Sequence, residues 1–453
     1  MAAKKDMGTG SVKKLMVQMA VPALVAQVIN LLYNIVDRIY IGHIPEIGAA
    51  ALTGVGLFTP LLMLITAFAM MAGSGGAPRA AIAMGQGNRE TAEKIMANCF
   101  TVLLIFAVVL TGGLYLGAEP LLRLFGGSDN TLPYALEYGR IYILGSVFVL
   151  IVMGMNPFIT TQGFAKISML TTVIGAVLNI VLDPILIFAL DMGVKGAAIA
   201  TVVSQAVSAV WILRFLTGGQ STLVLKTSNM PLERKIILPC LGLGISTFVM
   251  LSTESLLSVS FTSSLARYGG DVAVGAMTVL NSLNQLISMP LSGICQGGQP
   301  LISYNYGARK LDRVKEAFYC QFIVCISYTG LFWILAMAAP GLFAGIFTND
   351  AALVEYTSRA MRVFLAACFS VGFQMSCQQA FVALGQAKIS LLMACLRKLI
   401  LLIPLIFLLP LFFAAPEGKA MAVFLAEPVS DFLAASVTTF TFFRFFRKMM
   451  KNQ

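Results

Sequence analysis

Four polar side chains, Gln27, Asn30, Asn34 and Asp37, recur at spacings of three, four and three in an otherwise apolar stretch. At ~100° per residue they fall on one face of a helix. A stripe of amides ending in a carboxylate can serve as a path for a small cation. Further on, NIVLDPILIF sets Asn179 and Asp183 one turn apart, with Pro184 next. Proline frees a carbonyl one turn back and kinks its helix. A carboxylate, an amide and a freed carbonyl could then share one small volume, which suits a proton or a sodium ion. If Asp37 and Asp183 approach each other, repulsion and burial together favour one proton held between them. Polar glue between two helices and a purely structural Asp-Pro kink are the plainer readings of the same residues.

Glu254, in STESLLSVSF, is a lone carboxylate expected to face a cleft and to draw lipophilic cations there. Asn281, Asn284, Gln285 and Ser288 share one helical face and join Gln27, Asn30 and Glu254 as candidate substrate contacts. Glu427 and Asp431 stand one turn apart with Pro428 between them, within reach of Arg397 and Lys398 as an ion pair or as a second coupling site. Arg359 and Arg362 are expected to meet Glu355, Arg38 to snorkel to an interface, and His43 to be solvent-exposed. The eight cysteines are scattered singly in apolar runs without metal-ligand spacing, so they read as small buried hydrophobes. No phosphate-binding GxxxxGK[ST] occurs, so the work of transport falls to an ion gradient. HExxH, paired-histidine and Ser/His arrangements are missing too, and one histidine serves 453 residues, which argues against an enzyme. A channel is the third reading, and steady conduction in patch recordings would mark it.

The elements that must position these groups are membrane helices. Hydrophobic residues make up 58% of the chain and charged ones 11%, with mean hydropathy +0.86, whereas soluble domains carry about a quarter charged residues. A span needs ~20 apolar residues. Twelve are expected, near 15–40, 50–75, 95–118, 135–158, 166–188, 195–216, 236–260, 272–302, 315–338, 355–380, 389–413 and 419–443. With a cytoplasmic amino terminus, 23 of the 31 basic residues fall on the inner side, Lys4, Lys5, Arg397 and Lys398 among them. That is the positive-inside bias, and it places both termini in the cytoplasm. The net charge of +11 therefore follows the membrane rather than a nucleic acid. The four lysines ahead of the first apolar run make that run an uncleaved anchor.

The chain also repeats itself. AKIS occurs at 165–168 and at 387–390, Phe125 matches Phe347, and GQGNRETAEKI resembles NYGARKLDRVKEA, at offsets of 220 to 222. Six spans per half make the halves parallel, related by an axis along the membrane normal. The expected organisation is an amino-terminal lobe at 1–216, a polar cytoplasmic linker at 217–233 and a carboxy-terminal lobe at 234–453. Two parallel lobes around a cleft suit alternating access, and one chain suffices as a monomer.

AVPALVAQVINLLYNIVDRIYIG, ALTGVGLFTP, GQGNRETA and LNIVLDPILIF together resemble the multidrug and toxic compound extrusion (MATE) family along nearly the whole chain, with similarity to its MepA-like bacterial branch. The resemblance implies a V-shaped pair of six-helix lobes in the bacterial cytoplasmic membrane, exporting organic cations in exchange for sodium or protons, with no other cofactor. It implies that Asp37 and Asp183 are the acidic coupling pair, with Asn34 and Asn179 beside them, and that Glu254 is the seventh-span glutamate of some branches. Those branches carry a tenth-span aspartate, where this chain offers Gln374, Gln378 and Gln379. Ion binding would bend the first helix at Pro22 and release the drug outward. The alternative is a flippase for lipid-linked saccharides, which needs several cations in its central cavity.

Overall fold

The computed structural model describes residues 7–125, 127–346 and 351–451. Lys4, Lys5 and Phe347, used above for orientation and repeat, lie outside them. All regular structure among the described residues is helical, as expected where lipid leaves the backbone no partner but itself. Ten helices are long and apolar enough to cross a membrane and two further bent pairs pass the same test together, giving twelve spans.

The first six are Val12–Gly42, Ala50–Gly85, Arg89–Leu124, Leu132–Leu144 with Ser146–Thr161, Ala165–Ala189 and Gly193–Thr217. The second six are Arg234–Gly270, Val272–Gly307, Leu311–Ala338, Ala351–Phe364 with Cys368–Ala383, Ala387–Phe412 and Pro416–Lys451. The fourth and tenth, equivalent in the two halves, are bent by 57° and 47°. Seventh and eighth spans are continuous save at Gly270, whose φ of 63° is cheap only for glycine. The fifth and eleventh contain π-helical stretches, Ile185–Ala189 and Leu396–Leu402. The first span runs unbroken through buried Pro22.

Backbone and side chains both carry the duplication. Gly87 and Arg309 adopt left-handed φ values of 78° and 57°, and Gly163 and Gly385 values of 90° and 72°. Each pair is 222 residues apart. At the same offset, Asn156 Nδ2 donates to the Ser168 carbonyl (3.3 Å) and Gln378 Nε2 to the Ser390 carbonyl (2.7 Å). One buried apolar cluster runs from Ile41 to Cys240 and a second from Leu257 to Ala426. A third ties the first turns, Met7 to Met19, to the second half.

The segment 217–233, expected as a polar linker, packs against the first half. Leu223 and Leu225 are buried, Gln162 Oε1 accepts from the Leu223 amide and Ser221 (2.8 Å each), and Lys226 pairs with the third span's Glu93 (2.8 Å). Asn98 accepts from the Glu233 amide at 2.8 Å. Apolar residues hidden among its Gly, Ser and Thr strap the segment onto the first half.

The halves meet near the end where the first span begins. There a Cβ on Gly244 would collide with the Met71 carbonyl, one on Gly85 with that of Tyr304, and one on Gly307 with that of Ile82. Ser74 Oγ donates to Thr247 Oγ1 across the same seam (2.9 Å). Backbones this close exclude any side chain, so small residues set the packing. Gly244→Leu is expected to destabilise the protein by ~1–3 kcal/mol through overpacking. Gly242→Leu, with open space around it, should be neutral in the same thermal melt. Equal melting of the two would show the seam to be unimportant.

Candidate functional site

The first and fifth spans bring Asp37 and Asp183 close enough to feel each other electrostatically. Asp183 is fully buried and Asn179 nearly so. Asn179 Nδ2 donates to Asp183 Oδ1 and to Thr201 Oγ1 of the sixth span, at 3.3 Å each. The Thr201 hydroxyl donates to its own helix at Ala197 (3.0 Å), so it meets Asn179 as an acceptor. Three buried oxygens, Asp37 Oδ1, Asp183 Oδ2 and Asn179 Oδ1, have no hydrogen-bond partner. A buried polar atom without a partner is costly, and a proton or small cation would supply what these three lack. Among the described residues no three His, Cys, Asp or Glu side chains group as a metal site, so two carboxyls and neutral oxygens are what this place offers.

A cavity of about 30 Å³ lies against Asn179 and Thr201, lined also by Asn30, Tyr33, Gly175, Ala176 and Gln205. That is room for about two waters. Sequence reading missed Tyr33 and Thr201. Tyr33 had a usable signal, lying one turn before Asp37 and electrostatically close to both acids. Thr201 had none, because a lone threonine in an apolar helix looks like any other.

The polar stripe divides. Gln27 Nε2 donates to Gln296 Oε1 of the eighth span at 3.5 Å and so links the two halves. Exposed Asn34 donates to its own helix at the Asn30 carbonyl (2.7 Å), not to the acid pair. Asn281 and Gln285 are exposed and Asn284 half-buried on the eighth span. His43 is exposed as expected, and Arg359 meets Glu355 at 3.6 Å.

In the second half, Arg397 Nε meets Asp431 Oδ1 at 2.7 Å and Nη2 meets Glu427 Oε1 at 3.4 Å, all three side chains at most 15% exposed. Lys398 departs from expectation. Its ammonium pairs with Glu254 and donates to the Met250 carbonyl (2.9 Å). Glu254 is therefore not a lone carboxylate, although its side chain remains 56% exposed. Arg397 and Lys398 also do not belong to the inner basic set. Both lie mid-span between Ala387 and Phe412, where adjacent acids rather than headgroups neutralise them. In the tenth span, Gln374 and Gln378 are buried, and Gln378 also donates to Ser390 Oγ (3.0 Å).

The cysteines are less scattered than their spacing suggests. Cys295 and Cys325 sulfurs are 4.0 Å apart, and Cys99 contacts Cys240 across the two halves.

Twelve apolar spans in two related halves, with carboxyl groups packed among the helices, are the build of a polytopic membrane transporter. The chain belongs to the MatE family, whose model matches it twice, at residues 22–185 and 246–408. It is 23% identical to the multidrug export protein MepA of Staphylococcus saprophyticus over 394 residues, 86% of each chain. MepA of Staphylococcus haemolyticus is 23% identical over 94% of this chain and 92% of its own. Among solved structures, a MATE in complex with MaL6 superposes with a TM-score of 0.90 at 23% identity, covering 100% of both chains. A MOP superfamily transporter from Pyrococcus furiosus, described as having a binding pocket of reverse polarity that suggests a different function, gives 0.89 at 23% identity over 97% of both. The twelve-span architecture expected from the sequence is that of these structures. The chain is a transporter, not an enzyme.

Proposed function

We propose that this protein exports lipophilic organic cations from a bacterial cytoplasm by antiport against protons or sodium ions, with Asp37 and Asp183 as the coupling site. The observation that carries the reading is the carboxyl pair with three unpartnered buried oxygens around it. Asn179 and Thr201 complete that site. Asn34, turned to its own helix here, takes part only when the first span moves. Substrate enters a cleft bordered by Gln27, Asn30, Asn281, Asn284, Gln285 and Glu254, between lobes at 1–216 and 234–453 bridged by 217–233. Both termini are cytoplasmic, and a monomer is the working unit. The tight glycine seam then lies on the cytoplasmic side, so the cleft opens outward. MepA relatives are named as multidrug exporters, which supports small-molecule export as the activity.

One observation favours a flippase for an anionic lipid-linked saccharide. Arg397 and Lys398 lie mid-span, and a fold relative has a pocket of reverse polarity. Three acids, Glu254, Glu427 and Asp431, outnumber these two cations, so the cluster does not present a positive cavity.

The test is ethidium movement by purified protein in liposomes, first under an imposed pH gradient and then under an imposed sodium gradient. Uphill movement is expected under one of them, which identifies the ion. No movement under either refutes the antiporter, and lipid-linked saccharides would be assayed next.

A further inference from the structure

The second half holds an ion cluster where the first half holds a cavity. Gly175, Ala176 and Gln205 line the first-half cavity. Shifted by 222 residues they become Arg397, Lys398 and Glu427. The offset is the one that relates the duplicated turns at Gly87 and Arg309. Asn30 lines the same cavity from the first span. Glu254 approaches Lys398 from the seventh span, the counterpart of the first. Small residues leave the first cavity open, and two long cations fill the second.

We propose that the Lys398 ammonium is a tethered stand-in for a cationic substrate. It holds the Glu254 carboxylate while the cleft is empty, and a lipophilic organic monocation takes that carboxylate by displacing it. The inference rests on the cation-export reading and adds the residue that sets its selectivity.

Four features support displacement over a fixed structural pair. The Glu254 side chain is 56% exposed while that of Lys398 is 7% exposed, so a ligand in the cleft reaches the acid without first reaching the lysine. The cluster holds three acids to two cations, so it favours an added cation over an added anion. The displaced ammonium has somewhere to go. Glu427 is already in electrostatic contact with Lys398 and is held by Arg397 at only 3.4 Å, against 2.7 Å for Asp431. Lys398 also sits in the π-helical stretch Leu396–Leu402, a geometry that recurs at functional sites.

Binding of tetraphenylphosphonium to purified protein in detergent tests the proposal by calorimetry on wild type, Lys398→Met, Glu254→Gln and the double variant. Removing the competitor from a half-exposed acid should tighten binding about five- to tenfold. Glu254→Gln should weaken binding about tenfold, and the double variant should show no gain from losing the lysine. Lys398→Gln repeats the test with a polar side chain should the methionine variant fold poorly. Equal or weaker binding by both folded lysine variants, beside a wild type that binds and exports the cation, overturns the stand-in and leaves the export reading intact. If no variant and not the wild type binds the cation, the export reading falls and the stand-in with it.

Discussion

Asp183→Asn and Asp37→Asn proteins are expected to fold and to bind lipophilic cations, yet to lose gradient-driven export. The reason lies in what the pair offers an ion. Asparagine keeps the volume of aspartate, so the packing around Asn179 and Thr201 survives. It cannot release a proton or carry charge, so either substitution removes the difference in ion affinity between the two states of the transport cycle. A ligand with equal affinity for both states shifts nothing. Losing ~1.4 kcal/mol of that difference costs tenfold in coupling, and losing all of it leaves passive leak. Gradient-driven ethidium accumulation should therefore fall by about tenfold or more. Stability should hold or rise, because a new amide donor reaches acceptors that now lack one, Asp37 Oδ1 among them. Normal export in both variants would move the coupling site elsewhere. Lost export with lost folding would mark the pair as structural.

Arg397→Met is expected to be the most destabilising single change in the second half. It strands Glu427 and Asp431, each at most 10% exposed at the side chain, without their cation. Removing one partner of a buried pair costs ~3–5 kcal/mol, while replacing the whole set by neutral groups is often nearly free. The triple variant Arg397→Met/Glu427→Gln/Asp431→Asn should therefore melt close to wild type. Arg397→Lys should fall between, since it keeps the charge but loses the fork that spans two acids. If Arg397→Met melts like wild type while transport fails, the cluster works in the transport cycle and is not a structural tie. A triple variant as unstable as the single one would show that the guanidinium holds more than these two carboxylates.

Span number, duplication and the identity of the acid pair were legible in the sequence because each rests on a local rule. Lipid demands closed helices of about twenty apolar residues, so hydropathy places them. A carboxylate in such a helix has few roles, so Asp37 and Asp183 stood out before any contact was known. How the linker packs was not legible, for the complementary reason. Composition averages over a segment, and Leu223 and Leu225 are two residues among many polar ones, yet their burial decides how the whole strap lies.

The sequence by itself determined twelve spans, two related halves and which ionisable groups had to answer for being in lipid. Only the tertiary structure decided who answers whom. It put Lys398 on Glu254, not beside Arg397 on the twelfth-span acids, turned Asn34 back onto its own helix, and brought Thr201 to the acid pair. Helical spacing fixes which face a side chain shares with its own neighbours. The rotation and depth of one helix against another depend on packing all along both, and at the seam between the halves they depend on glycines whose missing side chains let the backbones touch.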